Sequence, residues 1–315
     1  MDTFEVITRD DVLAARETIA GRLHRTPTFS SATLGPRVFL KAELFQRTGS
    51  FKPRGVLNKL ASLSPEERKA GVIATSAGNH AQALAYCSAL VGIRALVVMW
   101  RTASAAKIDA TRGYGAEVDL EADGPAAAFE RLDELRQETG RIPIHPFDDP
   151  LVAAGQGTVG LEIGEDAPDV GVVVVPVGGG GLITGIAAAL PSARMVAVEP
   201  VRAPALHAAL AAGRPVTVRP DSIADGLHAP FAGELALEMA LARRFESVLV
   251  EDDEIAAGMR FLYERAKLAA EPAGAAGVAA LLAGKVALEN GETVVCVVSG
   301  GNVAAQTAAA ILGRP

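Results

Sequence analysis

Short, uninterrupted apolar runs recur along this chain and are separated by longer alanine-rich stretches. Runs that are apolar throughout, rather than alternating, are typical of parallel strands covered on both faces; they lie at 72–76, 94–100, 171–177, 194–200 and 293–300. Helical stretches follow most of them, beginning near residues 79, 104, 124 and 182. This alternation predicts an α/β fold, in which ligands bind beyond the carboxyl ends of the strands.

Composition narrows the class of protein. The chain has 315 residues, is 50% hydrophobic and has a formal net charge of −7, which predicts a globular protein of two lobes and excludes a nucleic-acid footprint. No secretory signal is recognisable, and no apolar run is long enough to span a bilayer. Cys87 and Cys296 lie in apolar stretches, which favours free thiols and a cytoplasmic location.

Four consecutive glycines, Gly178 to Gly181, join a valine strand to the start of a helix. Backbone N–H groups can converge there without interference from side chains, and the helix N-terminus behind them favours an anion. The motif of triphosphate-binding loops is absent, so the loop predicts a phosphate monoester site. The alternative is a tight strand–helix turn, for which one glycine would suffice.

Three further segments are candidate binding sites: two turns that follow predicted strands, and one loop. The SAGNH turn (76–80) opens a helix and predicts either a carboxylate site or an ordinary helix cap. Ser299, in SGGN, lies at the end of the last strand. Asp225 and Gly226 occupy a loop, where an Asp-Gly pair usually forms only a turn.

Lys52 lies in the stretch SFKPRG, between Phe51 and Pro53, and has no adjacent acidic residue. A lysine amine that is partly desolvated and flanked by a cation has a lowered pKa and can attack a carbonyl to form a Schiff base. Together with a phosphate-binding loop, this amine predicts pyridoxal phosphate as the cofactor. Arg54 is predicted to be a cation on the helix face, with no identified partner.

The ordered motifs SFKPRG, SAGNH, GGGG, EPAGA and SGGN resemble the pyridoxal-phosphate enzymes of fold type II, which are similar to the tryptophan synthase β subunit. Within them, the sequence most resembles the threonine/serine dehydratase and serine racemase group, also through HRTP, KAELFQRTGSFK, YGAEV, HPFDDP and GQGT. This resemblance implies two open, twisted, mostly parallel sheets with helices on both faces. It also implies a large cofactor-binding domain (1–68 and 149–315), a small domain (69–148) and a homodimer.

The resemblance implies a role for each motif. Lys52 would bond to the cofactor aldehyde and act as the base at the substrate Cα. The remaining cofactor contacts would come from Phe51 (packing), Asn79 (ring hydroxyl), Gly178, Gly179, Gly180 and Gly181 (phosphate) and Ser299 (pyridine nitrogen). The substrate-binding residues would be Ser76, Ala77, Gly78, Asn79, His80 and Gly226.

The implied reaction is β-elimination of water from threonine or serine, giving a 2-oxo acid and ammonia. Racemases of the group carry a serine where this chain has Ala77, which favours the dehydratase. The alternatives are a serine racemase, a dehydratase of another β-hydroxy amino acid such as hydroxyaspartate, or a non-catalytic sensor that binds the cofactor.

A divalent cation near the phosphate is frequent in the group. Its ligands would be Glu199, in AVEP, and an acidic residue six positions later, where this chain has Ala205. The candidate cation-binding residues are Glu199 and Ala203. The absence of an acidic residue at position 205 argues against the site.

Overall fold

The computed structural model describes residues 7–313, which form two β-sheets flanked by helices. The strands of the described chain are β1 (Thr28–Ser30), β2 (Val38–Ala42), β3 (Val72–Thr75), β4 (Ala95–Trp100), β5 (Glu117–Ala122), β6 (Ile142–Pro143), β7 (Val170–Pro176), β8 (Arg194–Pro200), β9 (Glu246–Val250) and β10 (Thr293–Val298). One sheet has the order β1-β2-β10-β7-β8-β9 and the other the order β5-β4-β3-β6. Every pair in them is parallel except β1 with β2.

Helices lie in most of the connections between these strands and also before β1 and after β10. They are α1 (Arg9–Ile19), α2 (Lys52–Ala61), α3 (Pro65–Ala70), α4 (Asn79–Leu90), α5 (Ala105–Gly113), α6 (Pro125–Thr139), α7 (Pro150–Asp166), α8 (Gly181–Ala189), α9 (Ala205–Ala212), α10 (Glu234–Arg243), α11 (Asp252–Phe261), α12 (Pro272–Leu282) and α13 (Ala305–Leu312). Within residues 7–313, none combines the length and the apolarity needed to cross a membrane.

The larger sheet is covered on both faces, as its continuous apolar strands predict. Successive side chains of a strand point to opposite faces, and on β7 Val173 and Val175 pack with α1, α7 and α8, whereas Val172 and Val174 pack with α11 and α12. All four valines are fully buried. The prediction of an α/β fold with mostly parallel sheets and helices on both faces is confirmed.

The core of each sheet contains one buried cysteine. Cys87 lies on α4, in the core of the smaller sheet, and Cys296 lies on β10, in the core of the larger sheet. Both are free thiols, and burial raises the pKa of each above its ordinary value.

Candidate active site

Lys52 is the first residue of α2, and Pro53 occupies the first turn of that helix. Its Nζ donates a hydrogen bond to the carbonyl oxygen of Pro146 at 2.8 Å and lies 5.1 Å from the centroid of the Phe51 ring. The residue as a whole is half-buried, yet desolvation of its amine lowers the pKa to about 8. Within residues 7–313, no carboxylate lies within ion-pair distance of this amine.

Arg54 contradicts its prediction. It is 1% exposed rather than on an open helix face, and it donates to Glu43 at 2.8 Å and to Glu162 at 2.7 Å. Burial alone would lower the pKa of Arg54, but these two carboxylates raise it above its ordinary value. The prediction that a neighbouring cation lowers the pKa of Lys52 is therefore also wrong. The charge of Arg54 is compensated by Glu43 and Glu162, and the cause of the lowered lysine pKa is desolvation.

The glycine loop lies between β7 and α8, and Gly181 is the first residue of that helix. A Cβ at Gly179 would lie 2.2 Å from the Phe147 ring, and a Cβ at Gly180, whose φ is +93°, would lie 2.3 Å from the Cβ of Ala236. Close packing therefore excludes side chains here, so the number of glycines is not by itself a sign of anion binding. The N-terminus of α8, directly after the loop, still makes it a suitable phosphate cradle.

An aromatic cluster that the sequence did not reveal contacts this loop through Phe147. The ring of Phe147 packs edge-to-face against His145, with centroids 4.6 Å apart, and against Phe231, with centroids 5.7 Å apart. Phe147 follows Pro146, whose carbonyl holds the Lys52 amine. The segment 145–147 thus contacts both the lysine and the glycine loop.

The SAGNH turn follows β3 and leads into α4. Gly78 precedes the helix and makes no side-chain cap, while Ser76 Oγ accepts from the Gly78 N–H at 3.1 Å. Ala77 is half-buried beside them. The alternative of an ordinary helix cap is wrong, because the N-cap position is Gly78. The N–H groups at the start of α4 remain suited to a carboxylate.

His80 points into the protein rather than into solvent. Its Nε2 lies 2.9 Å from the Ile144 carbonyl oxygen, and its Nδ1 is buried without a hydrogen-bond partner in the described chain. Burial, together with the positive charge of Lys52, lowers the pKa of His80 to about 3. A neutral His80 next to the lysine therefore adds no competing charge.

Asn79 takes part in a hydrogen-bonded chain that links three motifs. Its Nδ2 donates to Glu271 Oε1 at 2.6 Å, and its Oδ1 accepts from Asn302 Nδ2 at 2.8 Å. Asn302 also donates to the carbonyl oxygen of Thr48 at 2.6 Å. Residues that are distant in sequence are thereby held together at the start of α4.

Ser299 and Gly226 lie next to this chain. Ser299 follows β10, is 5% exposed, and its carbonyl accepts from the Phe51 N–H at 3.3 Å. Gly226 lies in a 3₁₀ turn, Asp225–Leu227, and a Cβ there would lie 3.8 Å from Glu271 Oε1. Lys107, on α5, contacts the Asp225 carboxylate from the side of the smaller sheet.

The structure adds several residues that the sequence did not identify: Lys107, Phe147, Glu271 and Asn302. Glu271 and Phe147 belong to EPAGA and HPFDDP, motifs that carry the resemblance, so a signal for them existed. Lys107 stands in no recognised motif, and its contact with Asp225 crosses 118 positions of the chain.

Glu199 is buried at the end of β8 and caps α9. Its two carboxylate oxygens accept from the N–H groups of Leu206 at 2.7 Å and His207 at 2.8 Å. Burial raises the pKa of Glu199 to about 7, and Ala203 beside it is fully buried. Across residues 7–313, no group of three or more His, Cys, Asp or Glu side chains is arranged to hold a metal ion. Both carboxylate oxygens of Glu199 are thus occupied by N–H groups of the first turn of α9.

Comparisons with known proteins agree on one family. The L-threonine ammonia-lyase of Thermotoga maritima is 45% identical over 307 residues, which are 95% of this chain and 76% of that protein. The catabolic L-threonine dehydratase of Escherichia coli K12 is 42% identical, over 93% of this chain and 92% of that protein.

Solved structures are similar throughout their length. Maize serine racemase superposes with a TM-score of 0.91 at 36% identity, covering 96% of this chain and 95% of that one. A threonine deaminase from T.th. superposes with a TM-score of 0.87 at 38% identity, covering 94% of this chain and 99% of that one. The model of the family described as "Pyridoxal-phosphate dependent enzyme" matches residues 19–300. The chain belongs to the pyridoxal-phosphate dependent enzymes.

Proposed function

We propose that this chain is a threonine/serine ammonia-lyase, which removes water from a β-hydroxy amino acid and yields a 2-oxo acid and ammonia. The observation that carries the proposal is the Lys52 amine, which is desolvated and lacks a carboxylate partner within the described residues. This amine donates to the Pro146 carbonyl, and the next residue, Phe147, packs against the glycine loop. The relatives named L-threonine ammonia-lyase and L-threonine dehydratase support the substrate class.

The residues present fit pyridoxal phosphate. Helix α8 begins at Gly181, directly after Gly179 and Gly180, so its N-terminus is suited to a phosphate group. Gly178 to Gly181 would hold the phosphate, Ser299 would face the pyridine nitrogen, and Asn79 the ring hydroxyl. Phe51 would pack against the ring. When bound, this cofactor withdraws electrons from the substrate and acidifies its Cα–H.

The chain's own groups would carry out the remaining steps. Lys52 would accept the proton from Cα, for which a pKa of about 8 is well matched. The turn from Ser76 to His80 would bind the substrate carboxylate through N–H groups at the start of α4, with Gly226 on the facing side. Ala77 presents no hydroxyl there, so the face opposite Lys52 gains no second acid from this position.

Serine racemisation is the second candidate, and the likeness to maize serine racemase favours it. A panel of β-hydroxy amino acids separates the two functions: threonine, serine and hydroxyaspartate, with 2-oxo acid and D-isomer measured in the same reaction. The ammonia-lyase predicts 2-oxobutyrate from threonine and pyruvate from serine, with little D-isomer. A D-isomer yield that exceeds the 2-oxo acid would replace the proposal with the racemase.

We propose that the chain divides into a large domain (1–68 and 149–315) and a small domain (69–148). The smaller sheet supports this division, because all its strands, β3 to β6, fall between 72 and 143; residues 1–6 and 314–315 lie outside the described part.

The two buried thiols support a cytoplasmic location. An exposed edge-to-face pair, Phe29 with Phe45, supports a homodimer that would cover it.

A further inference from the structure

The amide of Asn79 is held from both ends in one orientation. The Thr48 carbonyl can only accept, so the Asn302 group that contacts it at 2.6 Å is its NH₂. The same NH₂ contacts Asn79 at 2.8 Å, which makes that Asn79 atom the oxygen. The Asn79 NH₂ must then face Glu271, whose carboxylate accepts one of its two hydrogens at 2.6 Å.

Glu271 does not use its side chain to stabilise its own helix. It immediately precedes Pro272, the first residue of α12, and occupies the N-cap position, but its side chain makes no cap hydrogen bond. Its backbone instead anchors the segment, since its N–H donates to the Gly300 carbonyl at 3.1 Å. The side chain is therefore directed toward Asn79, although a helix N-terminus that attracts carboxylates lies next to it.

Burial of the Glu271 carboxylate in this arrangement costs free energy. Glu271 is 3% exposed and contacts no cation within the described residues. The ionisable groups that act on it are Asp225 and Lys107, which oppose each other in sign. Burial raises the pKa of Glu271 to about 7. Neighbouring glycines make the room, because a Cβ at Gly300 would lie 2.2 Å from Glu271 Oε1.

We propose that Glu271 is a positioning residue. It fixes the Asn79 amide so that the second N–H of that amide is available to the ring hydroxyl oxygen of the cofactor. This assignment rests on the proposed function, because it requires that the cofactor bind with its hydroxyl toward Asn79. This role also explains why EPAGA contains an acidic residue, although the side chain of that residue does not cap α12.

The experiment measures equilibrium binding of two ligands to the full-length apoprotein: pyridoxal phosphate and its 3-deoxy analogue, which lacks the ring hydroxyl. Glu271→Leu removes the acceptor and should weaken binding of pyridoxal phosphate by about tenfold, the effect of one lost hydrogen bond. The analogue should bind the wild type and the variant equally. Glu271→Gln, which keeps an acceptor oxygen, should restore most of the affinity for pyridoxal phosphate.

A control and a second variant keep the outcome decisive. Glu251 precedes α11 as Glu271 precedes α12 but is exposed, so Glu251→Leu should change neither affinity. Asn302→Ala releases Asn79 from the other end and should repeat the ligand-selective loss, even if Glu271→Leu does not fold. Equal weakening of both ligands, or no weakening of either, would overturn the role of Glu271. Failure of the wild type to bind pyridoxal phosphate would instead overturn the proposed function.

Discussion

Lys52 and Arg54 lie two residues apart on the first turn of α2, yet their surroundings are opposite. The Arg54 guanidinium is enclosed with Glu43 and Glu162, and Glu162 also binds the fully buried Lys41 at 2.7 Å. The Lys52 amine faces a backbone carbonyl and an aromatic ring. The pKa of the arginine is raised, whereas that of the lysine is lowered to about 8.

The difference separates two uses of a buried cation. A guanidinium held by two carboxylates keeps its charge at every accessible pH and ties α2 to α7 and to the segment after β2. An amine without such a partner can lose its proton near neutral pH and become a nucleophile and a base. One turn of helix thus provides a rigid anchor and a reactive group, and each can be tested without the other.

Removal of the reactive group should have the largest effect. Lys52→Ala should reduce ammonia release by at least about a thousandfold, because both the covalent attachment and the Cα base are lost. Ammonia and 2-oxo acid are measured at saturating substrate. Lys59→Ala is the matched control, since Lys59 lies on the same helix but pairs with Asp149 at 2.7 Å; its activity should be unchanged. Substantial activity in Lys52→Ala would show that another group performs the chemistry.

Removal of the anchor should affect stability instead. Arg54→Met leaves Glu43 without its buried guanidinium partner and Glu162 with Lys41 alone, and it should lower the free energy of unfolding by about 3–5 kcal/mol. Urea unfolding measures it. Arg25→Met breaks an ion pair with Asp166 whose arginine is 52% exposed and should cost about 1 kcal/mol or less. Similar losses in the two variants would contradict the importance of burial to this cluster.

The third prediction concerns pH and compares the two cations directly. The Lys52 pKa is about 8 in the folded chain and 10.5 ordinarily, so between these values the unfolded state binds more protons. The contribution of Lys52 to the free energy of unfolding of the apoprotein should therefore rise with pH across this window. The difference between the wild type and Lys52→Met, measured by urea unfolding at several pH values, should show this rise. The difference between the wild type and Arg54→Met should stay level there.

The smallest effect is expected at the exposed pair. Lys107 and Asp225 have side chains that are 28% and 53% exposed, so breaking their contact should change KM by no more than about fivefold, as for surface ion pairs. Exchange of the charges, Lys107→Asp with Asp225→Lys, should recover part of that change, and high salt should reproduce the effect of Lys107→Ala. A loss of a hundredfold in either single variant would place the pair in the chemistry itself.

Much of the fold and of the candidate site could be predicted because the signals are local. Runs of valine identified β4, β7, β8 and β10 within a residue or two of their observed ends. The glycine loop and SAGNH were recognisable because each occupies consecutive positions after a strand.

The errors and omissions concern contacts between distant parts of the chain. Arg54 looked unpartnered because Glu43 and Glu162 are 11 and 108 positions away. Asn79 and Glu271 are 192 positions apart. Neither of their motifs, SAGNH or EPAGA, indicates that the two side chains form a hydrogen bond. Tertiary packing alone decides such pairs, and it also gave three of the four loop glycines a steric reason that the sequence could not show.

The two buried thiols provide a built-in pair of reporters for local opening. Cys87 and Cys296 are buried in the cores of different sheets, and neither thiol can react while its core stays closed. The rate at which each is alkylated therefore measures how often its own sheet exposes its interior. The two rates, followed separately by mass spectrometry, would show whether the sheets open independently or together, and whether cofactor binding protects one more than the other.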